Sequence, residues 1–370
     1  MKKKILYISG TRADYGLMKS TLLAIKKNSK LDLEIIATGM HLMEEFGSTI
    51  LGIKKDGFKI CRINAIYEKD SKESMARFFA KFAGILAEKI KKIKPDIILV
   101  MGDRAEMLAG AVVGAYLGIP VAHIHGGEVS STVDDSVRNA ITKLADFHLP
   151  ATKKSAARII KMGEEKSRVI VVGAPGLEEN FRARLSKKEI IKKYGIDSKK
   201  PFLIIVQHPV SEEIKEAGWQ MEQTLETIRA LGVQAIVIYP NVDAGGREMI
   251  KIIEKYRKFP FIKIYKNIPR DDFLGLMKTA KIIIGNSSSG IIESSSMGLP
   301  AVNIGTRQKG RERGSNVIDT GYGKKNIAMA IKQAMKIKNK KYNNTYFVKG
   351  TDKKIADVLK KIKIDKKISH

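Results

Sequence analysis

Residues 281–316 read KIIIGNSSSGIIESSSMGLPAVNIGTRQKGRERGSN, and this stretch limits the possible folds more than any other. The apolar run at 282–284 has the length of a buried parallel strand. Gly285-Asn286 breaks it, and Ser287-Ser288-Ser289-Gly290 leads into a helix expected at 291–297, stopped by Gly298 and Pro300. A second strand is expected at 299–304, followed by the basic group Arg307, Lys309, Arg311 and Arg313. A strand that turns through serine and glycine into a helix leaves backbone N–H groups and hydroxyls free to hold an anion. Glu293, early in that helix, stands within reach of the hydroxyls of such a ligand. The plainer reading is a serine-rich helix cap followed by a solvated basic loop, and this window alone does not separate the two.

The same strand–loop–helix grammar repeats along the chain. Strands are expected at 4–9, 33–38, 96–101, 119–124, 147–150 and 169–172, and again at 202–206, 234–239 and 261–265. Among the intervening helices are 71–94, ended by Pro95, and 136–144, with Asp134 and Asp135 as capping carboxylates. Residues 177–200 read as a charged helical linker, and 324–338 and 351–364 as basic amphipathic helices. Alternation of this kind argues α/β architecture: two doubly wound domains facing a central cleft, with ligand loops at the strand C-termini. The expected division is 1–180 for a first domain carrying the acidic clusters and 200–345 for a second, anion-binding domain. A final helical segment, 346–370, is expected to pack back on the first.

Composition excludes several classes. No apolar run approaches the ~20 residues of a membrane span, and the N-terminal apolar run is too short for a signal peptide. Cys61 is the only cysteine, so no intrachain disulfide forms, and the chain reads as cytoplasmic. The formal charge is +29, yet aromatics are only 6% and do not interleave with the lysines. The excess reads as a lysine-rich surface rather than a nucleic-acid site. Neither GxGxxG nor a P-loop is present, and no GxSxG elbow appears.

The candidate chemistry lies at strand ends. Arg12 in GTRADYG is placed to meet an anion. Asp103 in MGDRAE, Glu128 in HIHGGE, and Asp134-Asp135 form acidic clusters, and His208 follows the strand at 202–206. His123 and His125 alternate along one strand, so one is expected to face inward and one outward; a metal would need a third convergent ligand, and none is expected. Carboxylates in one half opposite an anion cradle in the other suit acid/base chemistry beside a phosphate leaving group.

Taken together and in order, GTRADYG, MGDRAE, HIHGGEVSSTVDDSVRNAITKLADFHL, QHPV, NIPRDDF and GNSSSGIIE…GLPAVNIGTRQKGRE resemble the hydrolysing UDP-N-acetylglucosamine 2-epimerases of sialic acid pathways, from about residue 5 to 320. The resemblance implies two Rossmann-like domains in a glycosyltransferase-B-like fold, and conversion of UDP-GlcNAc and water to ManNAc and UDP through 2-acetamidoglucal. It implies acid/base roles for Asp103, Glu128 and Asp134, without assigning a step to each, and places His208 near the diphosphate. Arg12, Ser287, Ser288, Gly290, Glu293 and Arg307 are implied to hold UDP. No cofactor, nucleic acid or membrane partner is implied, and a homodimer or tetramer is. Asn139 departs from the family pattern, where a histidine is expected. A sister activity on UDP-2,4-diacetamido-2,4,6-trideoxyglucose, the non-hydrolysing epimerases, a glycosyltransferase on the same fold and a non-enzymatic RNA- or anion-binding protein driven by the +29 charge are the competing readings.

Overall fold

The computed structural model describes residues 2–130, 132–181, 185–337 and 342–364. Part of the linker (182–184) and the last residues of the C-terminal segment (365–370) lie outside the described residues.

Two six-stranded sheets, parallel throughout, form the scaffold. The first contains β1 (Lys3–Ser9), β2 (Leu31–Ala37), β3 (Lys59–Arg62), β4 (Ile97–Met101), β5 (Val121–Ile124) and β6 (Phe147–Leu149), in the order β3-β2-β1-β4-β5-β6. The second contains β7 (Phe202–Val206), β8 (Gln234–Ile238), β9 (Ile262–Tyr265), β10 (Ile282–Gly285), β11 (Ala301–Ile304) and β12 (Val317–Thr320), in the order β12-β11-β10-β7-β8-β9. Counted within each half, the two orders are the same. Each sheet therefore reverses direction once, between β1 and β4 and between β7 and β10, and such reversals open crevices at the strand C-termini. The expected two-domain α/β fold is the one observed.

Apolar layers cover both faces of each sheet. Leu6, Ile8, Phe78 and Phe82 lie on one side of the first sheet, and Ile5, Met18, Leu22 and Ile25 on the other. His123 is buried because helices cover both faces of the sheet, and His125, just past the end of β5, is buried against Glu128, so the expected inward–outward alternation does not apply to the pair. The helix Thr351–Lys361 belongs to this second layer through Ile355, Ala356 and Leu359. Lys3 Nζ donates to the carbonyls of Leu359 (2.9 Å), Lys360 (3.0 Å) and Ile362 (2.5 Å) at its end. The helix Lys187–Tyr194 lies instead on the second sheet, with Tyr194 donating to Asp272 at 2.6 Å.

Several expectations needed correction. β3 and β12 were not anticipated: each is four residues long and lacks the apolar run of an inner strand, as edge strands do. The strand expected at 169–172 is an isolated bridge from His148 to Val169 with backbone bonds from Ile170 and Val172. The helix expected at 291–297 is two short turns, Ser289–Ile292 and Ser294–Met297, meeting at Glu293. There the hydroxyls of Ser294 and Ser295 donate to the carbonyls of Gly290 (2.6 Å) and Ile291 (3.3 Å), and serines bonded back in this way weaken a helix.

The halves are held together along one flank of the cleft. The helix Gly246–Lys255 of the second half has no side-chain cap of its own. Asp70 of the first half supplies one, accepting from the N–H groups of Gly245 (2.6 Å), Arg247 (3.0 Å) and Glu248 (3.4 Å). Arg247 pairs with Glu45 at 2.6 Å and Arg104 with Asp243 at 3.1 Å, both across the same boundary.

Candidate active site

The C-terminal ends of β4 and β5 carry the acidic groups. β4 runs through Gly102, whose positive φ of 83° turns the chain out of the sheet, into Asp103. β5 ends at Ile124, and His125 then adopts φ 63°, a left-handed conformation uncommon outside glycine. That bend brings His125 Nδ1 to 2.5 Å from Glu128 Oε1. The helix Val133–Leu144 follows, capped not by Asp134 or Asp135 but by Thr132, which accepts from the Asp134 N–H at 3.3 Å. The two aspartates sit in its first turn and are free for other work.

Arg138, three residues after Asp135 and 1% exposed, organises the cluster. One end of its guanidinium is ion-paired to Asp103. The other donates to Asp135 (2.5 Å) and to the Glu128 carbonyl (2.9 Å). Asp135 also accepts from the N–H and hydroxyl of Ser130, at 2.6 and 2.8 Å. Asp135 is thus a structural anchor, while Asp134 points away toward Arg307, 3.9 Å distant. Asn139 is exposed on the outer face of the same helix, away from this cluster.

The second half contributes positive charge. Arg311 Nη2 reaches Glu128 Oε2 at 3.3 Å, and the Arg311 side chain is 9% exposed. Arg307 and Gln308 both donate to the Asn286 carbonyl, at 3.2 and 2.9 Å, which pins the basic loop to the end of β10. Asn286 in turn clasps His208 at the reversal point between β7 and β10. Its side chain accepts from the His208 N–H (2.7 Å) and donates to the His208 carbonyl (2.8 Å). Preceding it, Gly285 has φ 126°, and a Cβ there would collide with the Val206 carbonyl, so only glycine lets β10 end this close to β7.

Electrostatics separates the carboxylates. Burial alone would raise both Asp103 and Glu128. For Asp103 it is outweighed by Arg138, Arg311 and Arg307, leaving the group below the usual carboxylate range. For Glu128, Arg311, His125 and Arg138 outweigh it and hold the group at about 2. Asp134 goes the other way, up to about 6, through burial and the neighbouring charge of Asp103, with Arg307 only partly compensating. His208 is driven well below its ordinary value by burial and by Arg307, Arg12 and Arg104. Its Nδ1 accepts the Asn241 N–H at 3.1 Å, so the neutral ring presents Nε2–H as a donor.

The sequence-derived residues fall into two groups. Asp103, Glu128, Asp134 and Arg307 meet across the cleft, with His208 at the neighbouring reversal point. Ser287, Ser288 and Gly290 line the half-buried turn after β10, where Ser287 Oγ accepts the Ser289 N–H at 3.4 Å and Ser288 makes no side-chain cap. Arg12 reaches across to the second half, donating to the Lys266 carbonyl (2.7 Å), Asn267 Oδ1 (2.9 Å) and the Tyr239 carbonyl (3.3 Å). Burial lowers it to about 10. Glu293 is 2% exposed and faces Arg270 at 2.5 Å. Among the described residues, no group of three or more His, Cys, Asp or Glu side chains gathers to hold a metal ion.

A family model described as UDP-N-acetylglucosamine 2-epimerase matches residues 23–360. The chain belongs to the UDP-N-acetylglucosamine 2-epimerase family. Within that family it is 38% identical over 370 residues to the UDP-N,N'-diacetylbacillosamine 2-epimerase (hydrolyzing) of Legionella pneumophila, covering 100% of this chain and 98% of that one. It is 35% identical over 344 residues to a UDP-N-acetylglucosamine 2-epimerase of Neisseria meningitidis, covering 93% and 90%. The fold is that of solved epimerases. The Methanocaldococcus jannaschii enzyme, in complex with UDP-GlcNAc and UDP, superposes with a TM-score of 0.80 at 19% identity, over 96% of this chain and 99% of that one. The glycosyltransferase-B-like expectation therefore holds.

Arg138, Asn286 and Gln308 were not singled out from the epimerase motifs. Only Arg138 left a signal, the Asp135–Arg138 spacing of three on a helix, which places both on one face. Asn286 and Gln308 act through bonds to segments distant in the chain.

Proposed function

We propose that this protein is a hydrolysing 2-epimerase of a UDP-linked 2-acetamido sugar, releasing UDP and the C2-inverted free sugar. The observation that carries the reading is the meeting of Asp103, Glu128 and Asp134 with Arg307 and Arg311 across the cleft. Proton-transfer groups there face the charge that a departing diphosphate requires.

Of the three carboxylates, the one with the raised pKa is the strongest base, so Asp134 takes the C2 proton while the C1–oxygen bond breaks. The electron pair leaves on the β-phosphate oxygen. Arg307 and the neutral His208 Nε2–H receive that charge, with Ser287, Ser288 and Gly290 cradling the diphosphate and Arg12 lining the nucleotide. The product of this step is the 2-acetamidoglycal. Water then adds across the double bond: hydroxide goes to C1 and a proton to C2 from the opposite face, the proton lost by the water replaces the one given to C2, and Asp134 releases its proton to solvent. Glu128 stays ionised and bonded to His125, and this pair is placed to pass the proton to C2 from that face. Asp103, fixed by Arg138, stabilises the positive charge that develops at C1 and on the ring oxygen.

The substrate reading favoured by the full-length Legionella relative is UDP-2,4-diacetamido-2,4,6-trideoxyglucose. The Neisseria relative supports UDP-GlcNAc, with ManNAc as product, as the second reading. Incubation with each sugar nucleotide in D₂O, followed by NMR, decides between them. The expected result is free sugar deuterated at C2, plus UDP, with the diacetamido substrate turned over faster. A nucleotide-linked epimer that accumulates without UDP release makes the enzyme non-hydrolysing and removes the proposed water step.

A further inference from the structure

Arg311 holds the charge of Glu128, yet little holds Arg311. Of the charges around Glu128 it acts most strongly, ahead of His125 and Arg138. Its Nη2 lies 3.3 Å from Glu128 Oε2, and its Nε is buried with no hydrogen-bond partner. A guanidinium tied down so sparingly takes its position from the backbone that carries it.

That backbone is gripped from outside its own loop. A Cβ at Gly310 (φ 81°) would stand 2.9 Å from Val129 Cγ1, so the chain just before Arg311 packs closely on the residue after Glu128. The residue after Arg311, Glu312, is held at both ends. Its carboxylate accepts from Thr152 Oγ1 of the first half at 2.5 Å, and its carbonyl accepts from Tyr346 Oη at 2.9 Å. Tyr346 is in turn fixed to both halves. Its N–H donates to Asn344 Oδ1 (3.0 Å), and the Asn344 amide donates to the Ile292 carbonyl (2.7 Å) and Ser296 Oγ (2.6 Å). The Tyr346 carbonyl accepts the Ala174 N–H of the first half at 2.8 Å. The ring is 2% exposed and packs among Ala151, Ala174, Leu177, Ile291 and Ile292, where the halves meet.

A phenylalanine ring would fill that apolar site equally well. What tyrosine adds is a hydroxyl, and a buried hydroxyl needs a partner. The partner here is the carbonyl next to Arg311. Burial first, and then the Glu128 carboxylate, push the phenol up, so it stays protonated as a donor and lies within the field of Glu128 and Arg311. We infer that Tyr346 is a positioning residue, which sets Arg311 against Glu128 by holding the Glu312 carbonyl and so acts on proton delivery to C2 without touching the sugar. The inference rests on the reading of the protein as a hydrolysing 2-epimerase. It gives the segment that crosses back from the second half to the first a part in the chemistry.

The test is a double-mutant cycle on steady-state UDP release, with UDP-2,4-diacetamido-2,4,6-trideoxyglucose and UDP-GlcNAc as substrates. The proteins are the wild type, Tyr346→Phe, Arg311→Gln and the double variant, with Arg311→Lys in place of Arg311→Gln if the latter leaves no measurable turnover. Loss of one hydrogen bond predicts a fall in kcat of about five- to tenfold in Tyr346→Phe, with KM within about twofold. In the Arg311 background, adding Tyr346→Phe is expected to cost no more than about twofold, because residues acting through one contact are not additive. A tyrosine that only supports the fold would lower kcat by the same factor in both backgrounds, and that outcome overturns the inference. An unchanged kcat in Tyr346→Phe overturns it too, and either result leaves the epimerase reading intact. A wild type that releases UDP from neither sugar nucleotide overturns that reading before any variant is compared.

Discussion

Asp134 and Asp135 are neighbours in the chain with opposite surroundings. Asp135 is held by Ser130 and Arg138, whereas Asp134 has one cation at 3.9 Å and Asp103 for company. Replacing Asp134 by asparagine is expected to lower kcat about a thousandfold or more, as loss of a catalytic base does, with UDP affinity little changed. The sign of the pH dependence follows from its raised pKa: protonation removes the base, so kcat/KM is expected to fall as pH drops through about 6. UDP release measured between pH 5 and 8 checks it. Glu179 offers a second titration, away from the chemistry. Burial raises its carboxyl to about 7, opposed by Arg270 and Lys19 and reinforced by Asp352 and Asp271. A raised folded-state pKa means the fold favours the protonated form, so this stability is present below the unfolded pKa and lost as pH rises through about 7. Glu179→Gln is expected to remove that loss, gaining about 1–3 kcal/mol over the wild type at pH 8, read from denaturation curves at pH 5 and 8.

Among the secondary-structure elements, the helix Gly246–Lys255 depends on a cap from the other half of the molecule. Asp70→Ala is expected to cost about 1 kcal/mol, the usual cost of losing a side-chain N-cap, and Asp70→Asn less, both read from thermal melts. This cap was invisible in the sequence, because Asp70 and Gly245 are 175 residues apart. What was legible has a physical pattern. Strands buried on both faces announce themselves as apolar runs, and the glycines and charged residues at their ends point to the ligand side. Asp103, Glu128 and His208 were singled out as candidates that way. β3 and β12 were missed because four-residue edge strands carry little apolar signal. The helix break at Glu293 was missed because serine is an acceptable helix residue until its hydroxyl finds the carbonyl four residues back. The different duties of Asp134 and Asp135 depend on Arg138, whose partners only the folded chain identifies.

At the scale of the whole molecule, two sheets of the same strand order face each other across one cleft, and a flank of charged contacts ties them together. Arg247–Glu45 is the most exposed of these ties, which makes it the one to exchange. Arg247→Glu is expected to loosen the closed arrangement, raising both the radius of gyration from small-angle X-ray scattering and KM. Combining it with Glu45→Arg is expected to restore much of both, because residues in contact couple. The two halves differ in how completely each is built from contiguous chain. The second sheet is covered by helices drawn from residues 187–336, whereas one face of the first sheet is completed by Thr351–Lys361. On a ribosome, the first half is made first but finished last. Ile5, Met18, Leu22 and Ile25 wait through the synthesis of the entire second half before Ile355 and Leu359 arrive to cover them. The apolar strip that Ile355 and Leu359 cover is thus left open to water until the last helix is made, and transiently exposed strips of that kind are where a nascent chain is prone to aggregate.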